Sequence, residues 1–360
     1  MQRRLRGAAE SRQWQTGFAS PDHGTARTDC ANQVSRPNLC LTFRDYRQGM
    51  TVERFLPYRW RTRREAARHA GQIAAILQTP PIRPAQDGLV LFSMIGTAVL
   101  LPYLVAVKSL WRHLRRGRIA ILDDGTLTAQ DRAILAHHCG DPEIIRIEDV
   151  ERGPFPQGGC WERFLTILDR RQGEYWIQLD SDTVTIGPVA EVAAAIGANR
   201  SFTLLGGPDA GSAPWPASDI PLRFYEGAVS DGHVQAAIES RLDQFEPARE
   251  WRYIRGCAGF TGFAAGGPDR RLAAYFLHAL QELIGADRAA EWGTEQVASN
   301  FQIANEAGAV MLPHDRYLNY WGEPWGADTA FVHFVGTHRH DNGAYVEASR
   351  RVIEELHAAG

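Results

Sequence analysis

From about residue 85 onward, short apolar runs alternate with longer amphipathic stretches. The alternation predicts strands over 89–95, 118–123, 144–147 and 175–179. Between them it predicts helices over 98–114, 128–138 and 161–170, the second entered at Thr128 with Asp131 three residues on. Strands of this kind, separated by helices, build a mostly parallel sheet covered on both faces. Residues 206–255 break the pattern with loop signals around GGPDAGSAPWPASDIP and read as an insertion. Beyond it come a strand over 258–264, helices over 269–284 and 294–304, and a strand over 309–312. An aromatic loop over 317–325, a strand over 331–334 and a closing helix over 345–358 complete the chain. Upstream, 62–77 reads as a helix ended by Pro80, Pro81 and Pro84. The expected class is therefore α/β, an open sheet sandwiched by helices in one catalytic domain over 85–360, with its ligands at the carboxyl ends of the strands.

One run could be read differently. Residues 89–107 hold nineteen positions without a charge, enough to span a bilayer. Ser93, Gly96, Thr97 and Pro102 interrupt it, and its first half is β-branched and aromatic while its second keeps helical spacing. A buried strand followed by a packed helix is the expectation.

Charge and cysteine usage narrow the class further. The net charge of −3 gives no global basicity and argues against nucleic acid as a partner. Of 39 basic residues only Lys108 is a lysine, and it is expected to be replaceable by arginine. Residues 1–70 carry 14 arginines against 6 acids, so the start of the chain is basic and the rest acidic. Residues 1–45 read as a disordered tail, with Met50 an alternative start, and 46–84 as a basic segment with a helix. Within that segment, 54–68 interleaves arginines with Phe55, Leu56, Tyr58 and Trp60, a pattern suited to an anionic membrane surface or to packing on the domain. Five scattered cysteines with no C-x-x-C pair support neither a disulfide framework nor a thiolate zinc site. A cytoplasmic location, peripheral on the inner face of the membrane, is expected.

The chemistry concentrates at two places. The apolar run YWIQL leads into Asp180-Ser181-Asp182, and carboxylates at i and i+2 of an extended segment point to one side. Such a pair at a strand's carboxyl end suits a hard divalent cation, Mg²⁺ or Mn²⁺, that also bridges phosphates. Far downstream, FVHFVGTHRH places His333 at a strand end, followed by Gly336 and Arg339. Imidazole is an acceptable ligand for Mn²⁺, Gly336 allows close approach of backbone to a phosphate, and Arg339 suits its charge.

Together these residues resemble the GT-A glycosyltransferases, and within them the retaining family 8 type of glycogenin and the lipopolysaccharide galactosyltransferases. That family pairs a strand-end D-x-D with a C-terminal H-x-x-G-x-x-K. Here the two read Asp180-Ser181-Asp182 and His333-Phe-Val-Gly336-Thr-His-Arg339, with arginine in place of the lysine. Arg163 in WERFL is similar to a donor-contacting helix arginine, Ala258-Gly259 to an N-A-G segment, and Glu295-Gln296 to the acidic-Gln pair of D-Q-D. Two departures stand out: the first strand ends Ser93-Met94-Ile95-Gly96 rather than in acidic and Asn residues, and Cys257 stands where the family has Asn.

The resemblance, which covers about residues 88–340, implies the GT-A fold and a metal-dependent hexosyltransferase using a nucleoside-diphosphate sugar, UDP first. It implies Mn²⁺ (or Mg²⁺) on Asp180, Asp182 and His333, and donor contacts from Arg163, Asp180, Ala258, Gly259, Gly336 and Arg339. Glu295 would bind sugar hydroxyls and Gln296 would lie beneath the anomeric carbon, with attack on the leaving group's own face and retention of configuration. The acceptor would be a glycan, a lipid-linked saccharide or a small molecule. Trp215, Tyr317, Tyr320, Trp321 and Trp325 are aromatic candidates to stack on an acceptor or to cap the core.

LDSDTV also fits the first motif of the haloacid-dehalogenase-like phosphotransferases, with Asp180 as nucleophile. No lysine follows it, and about ninety residues of α/β chain precede it. A nucleotide-sugar-binding protein without catalysis is the third reading. Asp123 and Asp124 in DDGTLT are expected to be mainly turn and cap residues, with ribose or base contact as the alternative.

Overall fold

A computed structural model describes residues 58–246 and 250–358. The chain falls into two compact units, Met1–His69 and Ala70–Gly360. Helix α1 (Tyr58–Gln72) carries the described part of the first, with Trp60 exposed. The tail expected over 1–45 and residues 46–57 of the basic segment lie outside the described residues.

In the second unit the elements run β1 (Leu89–Ile95), α2 (Leu100–Leu114), β2 (Arg118–Asp123), α3 (Ala129–Cys139), β3 (Glu143–Arg146), α4 (Trp161–Arg170) and β4 (Tyr175–Leu179). There follow β5 (Thr183–Thr185), α5 (Ala190–Gly197), β6 (Phe202–Leu205), β7 (Trp215–Pro216), α6 (Ile220–Tyr225), α7 (Val234–Glu239), β8 (Arg252–Tyr253) and β9 (Gly256–Phe263). The last are α8 (Arg270–Ile284), α9 (Ala286–Ala289), α10 (Thr294–Ala304), β10 (Val310–Met311), β11 (Tyr317–Tyr320), β12 (Phe331–Phe334) and α11 (Ala344–Ala358).

Seven strands form the main sheet in the order β10-β6-β9-β4-β1-β2-β3, parallel except where β9 runs against β4 and β6. Alternation along β1 shows why both faces are covered. Leu89 and Leu91 join the core beneath α2, while Val90 and Phe92 join the one beneath α4. Each such side chain, fully buried, contributes about 1.5–3 kcal/mol. The expected open, mostly parallel α/β sheet is borne out. The uncharged run 89–107 is β1, a short turn and most of α2, and no helix among the described residues is long and apolar enough to cross a membrane.

A second sheet, β11-β12-β5, joins parallel and antiparallel pairs. It corrects one expectation: residues 317–320 form a buried strand rather than part of a loop, because β12 supplies the backbone partners. Tyr317 and Tyr320 are therefore core residues, and Tyr320 stacks edge-on with Trp325. In the insertion, β7 lies within the stretch 206–221 that reads as loop and pairs with β8, while α7 and most of α6 fall in the stretch to Arg255 whose signals mix helix with turn.

Candidate active site

The carboxyl end of β4 builds the site. Asp180 N donates to Gly259 O of β9 at 2.9 Å, holding the strand end in the main sheet. The chain then turns, with Thr183 Oγ1 donating to the Asp180 carbonyl at 2.9 Å, and Thr183 enters β5 opposite His333. Phe334 N closes the junction by donating to Asp182 O at 2.9 Å. The two carboxylates thus converge through a turn rather than along a straight strand, because Asp182 has to leave one sheet for the other.

Each carboxylate spends one oxygen on an arginine. Asp180 Oδ1 accepts from Arg163 Nη1 of α4, and Asp182 Oδ2 accepts from Arg339 Nη2. The remaining oxygens face the imidazole: His333 Nε2 lies 3.3 Å from Asp182 Oδ1 and 3.9 Å from Asp180 Oδ2. Ligand atoms of Asp180, Asp182 and His333 lie within 4.8 Å of one another. Two carboxylate oxygens and one imidazole nitrogen, close together and partly buried, fit a Mn²⁺- or Mg²⁺-sized cation.

The imidazole is seated on backbone. A Cβ at Gly259 would lie 2.3 Å from His333 Cε1, so only glycine leaves room for the ring. Behind it, His333 Nδ1 is 2.9 Å from Asn319 Oδ1 and 3.4 Å from Cys257 Sγ.

Burial works against charge throughout the cluster, and the neighbours overcome it. Arg339 and His333 hold the Asp182 carboxyl well below the usual carboxylate range despite its burial. Burial alone would lower the His333 imidazole, but Cys257 and Asp182 hold it well above its ordinary value. A cation binding there must therefore displace the Nε2 proton.

Glu295 is the exception. It enters from the first turn of α10, buried, with both oxygens 3.4 Å from Arg163 Nη2. Its burial outweighs Arg163 and pushes the carboxyl up to about 7. The α10 start is fixed against α4 by Trp161 Nε1 donating to Thr294 Oγ1 at 3.2 Å. Gln296 is held at both ends of its amide, Oε1 accepting from Ala258 N at 3.2 Å and Nε2 donating to Gln235 Oε1 at 3.0 Å.

No protein-family model matches the chain, and no curated protein does. Solved structures do. The galactosyltransferase LgtC in complex with donor and acceptor sugar analogues is 12% identical over 75% of this chain and 95% of its own, with a TM-score of 0.45. The bifunctional WbbM is 13% identical over 77% of this chain and 53% of its own, at 0.41. Core-mannan synthase A of Aspergillus fumigatus, in a Mn/GDP form, is 13% identical over 76% and 86%, at 0.38. The first is a galactosyltransferase and the second a bifunctional glycosyltransferase. Likenesses of that size leave the assignment to the geometry of the site.

That geometry brings Asp180, Asp182, His333, Arg163, Arg339, Gly259, Ala258, Glu295 and Gln296 into one connected cluster. Gly336 stands at φ +49° in the turn before Arg339, where an added Cβ would meet nothing within 4 Å. Asp123 and Asp124 are spent on structure: Asp123 Oδ1 accepts from Gly125 N and Leu127 N, Asp124 Oδ1 from Thr126 N.

Sequence reasoning missed Asn319, Gln235 and Glu239. Glu239, fully buried in α7, accepts from Gln235, Tyr225, Tyr253 and Arg255 at 2.7–3.0 Å, which makes the insertion the support of Gln296. The available signal for Asn319 was an amide flanked by apolar residues at strand spacing in YLNY.

Proposed function

We propose that the chain is a metal-dependent glycosyltransferase of the GT-A type, moving a hexose from a nucleoside-diphosphate sugar, UDP first, to a hydroxyl acceptor with retention. The observation that carries this reading is the convergence of Asp180, Asp182 and His333 at a strand end, flanked by two arginines and a fixed amide. In the reaction the bond from the anomeric carbon to the diphosphate oxygen breaks and one to the acceptor oxygen forms. The acceptor's proton passes to the departing phosphate.

Asp180, Asp182 and His333 would hold the cation, which when bound supplies Lewis-acid stabilisation of the diphosphate. Arg339, about one-third exposed, could exchange Asp182 for a phosphate oxygen. Arg163 is enclosed between Asp180 and Glu295 and acts by orienting both. Gln296, pinned between Ala258 and Gln235, presents a fixed dipole toward the sugar. Glu295, with its raised pKa, offers sugar hydroxyls a carboxyl that both donates and accepts near neutral pH. The catalytic domain of this proposal is 85–360, with contact to an anionic surface through 54–68.

The test is calorimetric titration of UDP with Mn²⁺ and again with EDTA. Micromolar, metal-dependent binding lost in Asp182→Ala and His333→Ala is expected. Full binding in either variant would sink the site. Binding of UDP-sugar without hydrolysis or transfer would point to the non-catalytic reading.

A further inference from the structure

The imidazole of His333 can offer only one nitrogen to the carboxylate pair, and which nitrogen keeps the proton decides whether it can ligate. The structure answers this through a residue in the neighbouring strand. β11 and β12 pair in parallel with Asn319 directly opposite His333. Asn319 is 1% exposed and its amide is fully engaged. Its nitrogen lies 2.6 Å from Leu205 O and 3.3 Å from Gly206 O. Backbone carbonyls only accept, so the NH₂ group must face β6 and the following Gly206, and the amide cannot be turned around. Its Oδ1 is thereby committed to His333 Nδ1 at 2.9 Å. An amide oxygen also only accepts, so Nδ1 must carry the proton and donate it. The lone pair of the neutral ring is then on Nε2, the nitrogen that faces Asp180 and Asp182.

We infer that Asn319 is the positioning residue of the metal site: anchored on the β6 end, it fixes His333 in the Nδ1–H form and aims Nε2 at the cation. The inference rests on the metal-binding reading above and names a residue with no contact to the cation itself. Partners of this kind on a ligating histidine are typically worth about 10–100-fold in metal affinity. Cys257 Sγ, at 3.4 Å from the same nitrogen, is the competing partner. The shorter contact and the locked amide favour Asn319, since a thiol is a weak acceptor free to rotate.

Two measurements on the full chain test this. In the first, free Mn²⁺ is titrated by electron paramagnetic resonance without nucleotide. Asn319→Ala should weaken binding about 10–100-fold. Asn319→Asp, which keeps an acceptor facing Nδ1, should recover part of the loss, and Cys257→Ala should stay near wild type. Equal affinity in Asn319→Ala and wild type would overturn the proposal, as would a larger loss in Cys257→Ala. The second needs neither metal nor a variant. Nitrogen-15 histidine spectra of the metal-free wild-type chain, at a pH high enough to leave the ring neutral, should place the His333 proton on Nδ1. A proton on Nε2 would overturn the proposal even in a protein that binds no Mn²⁺. Conversely, an Nδ1 proton in a chain without Mn²⁺ affinity would sink the metal reading and leave the role of Asn319 standing.

Discussion

Two of the buried ionic clusters among the described residues are built differently. Beyond the amino-terminal end of β4, where the antiparallel β9 finishes, Arg171 is fully enclosed, donates to Glu306 Oε1 at 2.7 Å and to the Pro268 carbonyl, and lies over Phe263. Glu306 is satisfied on both oxygens, by Arg171 and Gln302 on one and by Ser201 on the other. One cation meets one anion, and each carboxylate oxygen has at least one donor. At the carboxyl end of β4, three acids meet two guanidiniums, and two carboxylate oxygens are left facing a histidine rather than an arginine. Burial of charge is common to both. What separates them is that at β4 the last carboxylate oxygens face a histidine, which can give up its proton to a cation, where at Glu306 the partner is a permanently charged guanidinium.

The largest effect expected from this contrast is on Arg171. Arg171→Ala leaves Glu306 buried without its cation and should cost about 3–5 kcal/mol. Chemical denaturation reads the loss, and Mn²⁺ binding by the folded fraction should be unchanged. A variant as stable as wild type would mean that this pair is not a structural one.

Glu295 comes next and carries the opposite sign. Its carboxyl is raised from an ordinary value of 4.5 to about 7, chiefly by burial. The folded state therefore binds a proton that the unfolded state has released, and the stability this gives is full below about pH 4.5 and lost as pH rises through about 7. The shift corresponds to about 3 kcal/mol. Glu295→Gln, which carries no titrating group, should gain on wild type by about that amount between pH 4.5 and pH 8. Parallel stability curves for the two proteins across that window would show that Arg163 already compensates the carboxylate. Because the gain comes from relieving a buried acid, it would mark the cluster as one maintained at a cost to stability.

Much of the frame was legible because it depends on local signals. The Thr128–Asp131 capping box forms as its spacing requires, Asp269 caps α8, and β1, β2, β4 and β12 lie where their apolar runs place them. The elements that escaped lack such signals. β5 is three residues long, too short for alternation to register. α5 begins after Val189, which makes no side-chain cap, so its alanine-rich run has no start marker. In the site, side chains carrying charge could be nominated from D-x-D and H-x-x-G. Their supports could not, because those depend on tertiary geometry. Asn319 meets His333 through strand pairing and Leu205 from 114 residues away. Gln235 reaches Gln296 from 61 residues away in the chain.

Lys108 yields the smallest effect and corrects an expectation. As the single lysine among 38 arginines it reads as interchangeable, yet it is 1% exposed on the inner side of α2. Its Nζ lies 3.3 Å from Thr79 O and 3.0 Å from His138 Nδ1. An ammonium only donates, so His138 accepts on Nδ1 and is neutral, in keeping with a pKa lowered to about 4 by burial and by Lys108. Burial also brings Lys108 down to about 8. It is a third kind of buried ionic group, a cation held by neutral acceptors with no ion pair to a carboxylate among the described residues. A guanidinium there is wider, cannot shed its charge, and has to bring more N–H groups into a space that satisfies two. Lys108→Arg should therefore cost about 1–3 kcal/mol in denaturant unfolding, as overpacking does. Lys108→Met, which keeps the length of the stem and removes the charge, should cost less. If arginine were accepted without loss and methionine were not, the charge rather than the fit would be what this position requires. Lys108 would then belong with Arg171 as an electrostatic support of the fold.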